Sequence, residues 1–285
     1  MGNRKTQAET VGATSTSYAY GYDELNRLVQ VANGTPTAQE NFTYDPLGNR
    51  TKKTVNATTP VTTLYGYDAA DQLNKITDAT GATNLFGFVF DAAGNLTKRC
   101  EGGAAGSVSL TGTAPITDCS VSGAASSVLG LSYDSLNRLS AATRTGLGAV
   151  TQSYGYDDGN RRVRKASAGT SHYYHYNGSD IWAEYSAWSK ADALYTQGPA
   201  SDDPLIRLTI TATNTFGQAD YFHSDGLGSI VALSNNLNTS TQTQRFDAWG
   251  NKLAGTVTQA AQYGYTGREP DETGLMHYRA RYYDA

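Results

Sequence analysis

Tyr18, Tyr20 and Tyr22 alternate with Ala19 and Gly21, the period of two expected where one face of a β-strand carries the large side chains. Asp23 to Arg27 interrupts the alternation, and Leu28, Val29 and Val31 resume β-type sequence. Asp and Asn bond their own nearby backbone and tolerate a left-handed conformation, as Gly does, so Asp23 and Asn26 suit a tight reversal. The stretch predicts a hairpin with an Asp-led turn. One such hairpin is marginal by itself and needs neighbours to cover its aromatic face.

The same seven residues return along the chain. Tyr22 to Leu28 (YDELNRL) and Tyr133 to Leu139 (YDSLNRL) differ at one position, and looser copies begin at Tyr44-Asp45, Tyr67-Asp68, Phe90-Asp91 and Tyr156-Asp157. Successive first residues are 22, 23, 23, 43 and 23 apart; the long step is one period plus an insertion of about 20 residues. A fixed period of this size marks a repeat architecture.

The chain divides on this pattern. Residues 1–97 carry regular repeats, and 98–128 form an inserted loop rich in Gly, Ala, Ser and Thr. Residues 129–220 resume the repeats and add aromatic strands, including His172, Tyr173, Tyr174, His175, Tyr176, Trp182, Tyr185 and Trp188; residues 221–285 close the chain. Ile181 to Leu194 is the best candidate for a helix. Gly2-Asn3-Arg4 matches Gly48-Asn49-Arg50, the second half of a unit, so the chain is expected to begin inside a repeat.

Cys100 and Cys119, the only two cysteines, bracket the insertion across 18 residues. That arrangement suits a disulfide staple in an oxidising compartment; two reduced thiols in a loop are the alternative. With two sulfurs and no histidine in the insertion, a zinc site is not expected.

Composition narrows the function classes. The chain of 285 residues has 20 Tyr and a net charge of −4, and its pI is near 5.5, which argues against nucleic acid as a partner because phosphate binding needs a basic surface. No apolar run is long enough to span a membrane, and Met1 to Thr10 lacks the apolar core of a secretory signal. The turn aspartates occur one per unit instead of in pairs across a cleft, so they read as caps and no catalytic residue is assigned. His172 and His175 point to opposite faces of a strand and cannot share a metal. His223 and Asp225, two apart, share a face, which permits a His–carboxylate pair. Met276, Tyr278, Ala280 and Tyr282 alternate with His277, Arg279, Arg281 and Tyr283, and the two arginines could pair with acidic residues between Glu269 and Glu272. No cofactor is implied.

These spaced Tyr-Asp units resemble the YD repeats of the RHS family of bacterial proteins, which includes the shell subunits of Tc insecticidal toxins and is related to the teneurins. The closing stretch resembles the RHS-associated core in order: HSDGLGS from His223, with Asp225 and Gly228; FDAWGN from Phe246; and YTGREPDETGLMHYRARYYD from Tyr265, with Gly267, Gly274, Arg279, Arg281, Tyr282, Tyr283 and Asp284. The resemblance implies an all-β fold in which YD hairpins stack into a spiralling antiparallel sheet, an arc of a hollow shell with a C-terminal core cap. It further implies a secreted or cell-surface bacterial scaffold whose partners are the rest of its shell and a C-terminal toxin domain. The aromatic content leaves a second reading, a module that binds cell-surface glycans.

Overall fold

A computed structural model describes residues 2–11, 14–34, 39–103, 106–113, 115–187, 189–212, 215–237, 239–253 and 263–285. Trp188 lies outside them. The fold is all-β and antiparallel, as the repeat pattern implies, and it divides into two compact units, residues 1–130 with 145–147, and residues 131–144 with 148–285.

In the first unit, strands from Thr6–Val11 to Leu96–Glu101 each pair with the next in sequence. The ladder skips the insertion: Val128 pairs directly with Cys100, and Leu129 with Arg99. The insertion is not a loop throughout, because Ser107–Thr111 and Asp118–Ser122 form a hairpin of their own. Val108, Ile116 and the two cysteines pack there with Val89 in a buried cluster. Cys100 and Cys119 are joined by a disulfide with their Cα atoms 6.1 Å apart. Gly87 makes room for this hairpin, since a Cβ there would lie 2.4 Å from Leu110 Cδ2.

In the second unit the ladder runs from Leu139–Gly146 to Ser240–Thr243 in sequence order. Its core holds Tyr174, Ile181, Tyr195, Phe222, Ile230, Leu233 and Tyr263. The expected helix at Ile181 to Leu194 is absent: Asp180–Tyr185 and Ala193–Gln197 are paired strands. Sheet pairing there overrides weak helical spacing, as tertiary context often does.

Each repeat is one turn chemistry. The first residue pairs across the turn with the seventh, Tyr22 with Leu28 and Tyr156 with Arg162 among them. The Asp amide donates to the sixth carbonyl, and the Asp carboxylate accepts from the fourth and sixth amides, as Asp134 does from Leu136 and Arg138. At the fifth position φ is positive in every unit: Asn26, Gly48, Asp71, Gly94, Asn137 and Asn160. Asn, Asp and Gly recur there because other L-residues pay a steric penalty in that region. Asn137→Ala should therefore cost about 1 kcal/mol in chemical denaturation, and Asn137→Gly less. An alanine as good as glycine would contradict this account.

Neighbouring units are tied by the first and sixth positions. Tyr44 donates its hydroxyl to Leu28 O (2.6 Å), Tyr67 to Arg50 O (3.0 Å) and Tyr156 to Leu139 O (2.8 Å), and Tyr176, which opens no unit, does the same to Arg162 O (2.9 Å). Arg27 pairs with its own Asp23 at 2.7 Å and lies 4.9 Å from the next ring centroid, Tyr44; Arg138 repeats this with Asp134 and Tyr156.

Candidate functional site: a buried arginine beneath the closing segment

The seventh position of the unit at Tyr156 holds Arg162, where Leu28, Leu73, Leu96 and Leu139 stand in four other units. Its side chain is fully buried. A guanidinium taken out of water needs carboxylates with good geometry, and the closing segment supplies them. Arg162 Nη2 lies 2.6 Å from Glu269 Oε2, and Nη1 lies 2.7 Å from Asp271 Oδ2 and 3.3 Å from the Tyr282 hydroxyl. The rings of Tyr154 and Tyr282 stand 5.4 and 5.9 Å from the guanidinium carbon, within cation–π range.

Three further side chains of the ladder hold the same segment. Lys165 Nζ is 3.5 Å from Asp271 Oδ1 and 3.4 Å from Glu272 Oε1. Gln152 donates to Glu272 and accepts from Tyr154, and Arg144 donates to the Thr273 carbonyl. Asp271 follows the repeat turn in its backbone: its amide donates to Leu275 O, that of Gly274 donates back to Asp271 O, and Gly274 has φ 88°. Its carboxylate, however, is directed at Arg162. The turn is conserved in geometry while its cap becomes a lock.

Burial by itself would raise the Glu269 carboxyl, but its hydrogen bond to His277 and the charge of Arg162 outweigh that and hold it at about 2. Its folded value is thus below its ordinary 4.5. The stabilisation is complete above about pH 4.5 and is lost as pH falls toward about 2. Glu269→Gln should accordingly lower the melting temperature at pH 7, and the gap between variant and native chain should narrow as the pH is taken toward 3. A gap that widens on acidification would contradict the assignment. Burial likewise pushes the hydroxyls of Tyr154 and Tyr282 up, so both stay neutral donors.

The other closing residues take different partners from those the spacing suggested. Arg279 does not reach across its turn to Glu269–Glu272; it pairs with Asp180 (3.2 Å) and Asp202 (3.1 Å). Arg281 is exposed. The unbroken alternation from Met276 to Tyr283 is also corrected. Met276–Tyr278 and Arg281–Tyr283 form a hairpin in which Tyr278 faces Arg281 and His277 faces Tyr282, and Arg279 at its turn has φ 59°. His223 Nε2 lies 2.8 Å from Ser234 Oγ, while Asp225 caps the amides of Leu227 and Ser229, with a register shift between His223 and Ser224. Gly228 takes the left-handed fifth position of that turn, and Gly267 (φ 70°) would clash with the Asp202 carbonyl if it carried a Cβ. Tyr283 donates to Trp249 O at 2.6 Å, and Asp284 follows the last strand. His172 Nδ1 lies 2.8 Å from Glu184 Oε1, while the His175 ring packs against Tyr185.

Three more copies of the turn lie inside the closing motifs. Ser224 pairs with Ile230, Phe246 with Lys252 and Pro270 with Met276, each around Asp225, Asp247 or Asp271. Their first residues are 22 and 24 apart. Asp-x-x-Gly at the repeat period is the signal that exposes them.

Among proteins of known activity, the chain is 27% identical to a tRNA3(Ser)-specific nuclease WapA of Bacillus spizizenii and to a tRNA nuclease WapA of Bacillus subtilis, in each case over 273 residues. The match takes in 92% of this chain and 10% of each relative, so the chain spans about a tenth of their length. Solved structures of TcdB2-TccC3-Cdc42 and TcdB2-TccC3 align with 94% of the chain and 16% and 17% of theirs, at 15% and 16% identity and TM-scores of 0.43 and 0.41. Residues 2–285, nearly the whole sequence, match the Teneurin YD-shell family, and the chain belongs to that family.

Proposed function

We propose that this chain is a non-enzymatic, encapsulating scaffold: the part of a secreted bacterial toxin shell that carries its later YD hairpins and the segment that seals them, working with the remainder of that shell around a C-terminal toxin domain. The Arg162 lock carries this reading. Its guanidinium is closed to solvent and held by two carboxylates of the closing segment, an arrangement suited to fastening a segment and unsuited to turnover. The turn carboxylates support it, since each except Asp271, which joins the lock, caps its own hairpin; the Asn95 side chain and backbone amide hold the Asp91 carboxyl below its ordinary value. We place the nuclease activity named for the WapA relatives outside the tenth of their length that this chain matches.

Purified chain incubated with total tRNA should leave it intact; cleavage that tracks the protein through purification would overturn the reading. The scaffold reading also expects association in isolation. Thr6–Val11 pairs with Thr14–Tyr22 along one edge, and an unsheltered edge strand recruits further strands. Light scattering should show species larger than 30.4 kDa; a monomer with a cooperative melt and no dye-binding apolar surface would contradict a scaffold built to join other hairpins.

A further inference from the structure

Nine of the described residues other than glycine have positive φ. Four of them, Asn26, Asp71, Asn137 and Asn160, are fifth positions of repeat turns, and Ala125 and Ala168 lie in connections between strands. The other three, Asp202 (φ 58°), Thr266 (φ 50°) and Arg279 (φ 59°), come from separate parts of the chain and meet at one place. Arg279 Nη2 lies 3.1 Å from Asp202 Oδ1, and Arg268, two residues past Thr266, has its Nη2 2.7 Å from Asp202 Oδ2. Between them Gly267 sets its bare backbone against the Asp202 and Gly228 carbonyls, where a side chain has no room.

Asp accepts the left-handed region readily, but threonine and arginine do not, and a β-branched residue there is a genuine outlier. Thr266 is held in place from outside its own backbone. Its amide donates to Ser229 Oγ (3.0 Å), and its hydroxyl lies 2.6 Å from that of Tyr278, whose ring stands 4.7 Å from the Arg268 guanidinium carbon. Backbone in such a region persists only while its surroundings over-determine it, and it clusters at clamps and switches. Here the surroundings include ion pairs that water can reach. The Arg279 side chain is 40% exposed, Asp180 25% and Asp202 19%, whereas Arg162 and Asp271 in the lock are 0% exposed. Dissolved ions screen the first group far more than the second.

We propose that the Asp202 cluster is a strained catch, the first of two stages by which the closing segment lets go. Screening of Asp202 and Asp180 frees Arg268 and Arg279. Thr266, Gly267 and the hairpin tip at Arg279 then lift, and Thr266 and Arg279 relax out of the left-handed region. The Arg162 lock meanwhile keeps Glu269, Asp271 and Tyr282 on the ladder. The use of such a catch in a shell rests on the sealing role proposed above, while the two-stage opening is a property of this chain by itself.

Hydrogen exchange of the intact chain, read between about 0.01 M and about 1 M sodium chloride, tests the catch, because the screening length falls from about 30 Å to about 3 Å over that range. Amides of Thr266, Gly267 and Arg279 should exchange at least tenfold faster at high salt, and those of Arg162–Ser167 and Met276–Tyr278 should keep their rates. Asp202→Asn, which tolerates the left-handed region but carries no charge, should show the fast rates already at low salt. Thr266→Asn should slow exchange at Gly267 and Arg279, because relief of the strained backbone removes a drive toward opening; a merely structural threonine predicts the reverse. Catch amides indifferent to salt, lock amides that accelerate with them, or a Thr266→Asn chain that opens faster would each overturn the proposal. Should Asp202→Asn fail to fold, the salt series on the native chain decides. Cleavage of tRNA by the chain would sink the scaffold reading and leave the exchange result standing.

Discussion

Arg162→Met should lower stability by about 3–5 kcal/mol, the usual cost of breaking a buried pair from one side, and a chain of this size should then melt on the order of 10 °C lower. The side chain is 0% exposed and Asp271 is likewise sealed, so removing the cation leaves Asp271 cut off from water and both carboxylates without their shortest ion pair. Protease sensitivity should rise first in the closing segment, whose attachment depends on Glu269 and Asp271. Adding Glu269→Gln and Asp271→Asn to Arg162→Met should restore much of the loss, because the stranded charges are then gone. If Arg162→Met melts like the native chain, or the triple variant is worse than the single one, the cluster is not a lock of matched charges.

Replacing both cysteines by serine should cost about 3 kcal/mol in the chain-entropy view of a loop of this length, and the loss should be local. Cys100 and Cys119 lie within a buried cluster under the inserted hairpin, so the Ser107–Thr111 and Asp118–Ser122 strands should become the first sites of proteolysis. The Asn84–Phe90 and Leu96–Glu101 hairpin beneath should hold longer, since its own ladder passes directly on to Ser127–Tyr133. Limited proteolysis with mass mapping checks this; early cutting at the Asp91 turn, with the inserted hairpin intact, would contradict it.

Much of this fold is legible before any coordinate is seen, for physical reasons. Alternating Tyr residues fix strand faces, and the fifth position of each unit announces a left-handed backbone through Asn, Asp or Gly. Two of the three turns in the closing motifs escape that reading because Ser224 and Pro270 replace the aromatic first residue that marks the others and that the third turn keeps as Phe246. Arg162 escapes it because a seventh-position arginine also occurs at Arg50, so the residue type does not reveal that Arg162 is buried. Its partners lie 107 and 109 residues away, and no local pattern encodes such a pairing. The expected pairing of Arg279 with nearby acids fails for the same reason, since a two-residue reversal at Arg279 and Ala280 redirects the chain toward Asp180 and Asp202.

Hydrogen exchange of the native chain tests most directly whether the closing segment and the hairpins it caps form one structural body. Amides of Arg162–Ser167 and Met276–Tyr278 should share a slow rate, and both should accelerate together in Arg162→Met. A closing segment that exchanges orders of magnitude faster than Arg162–Ser167 in the native chain would contradict the account.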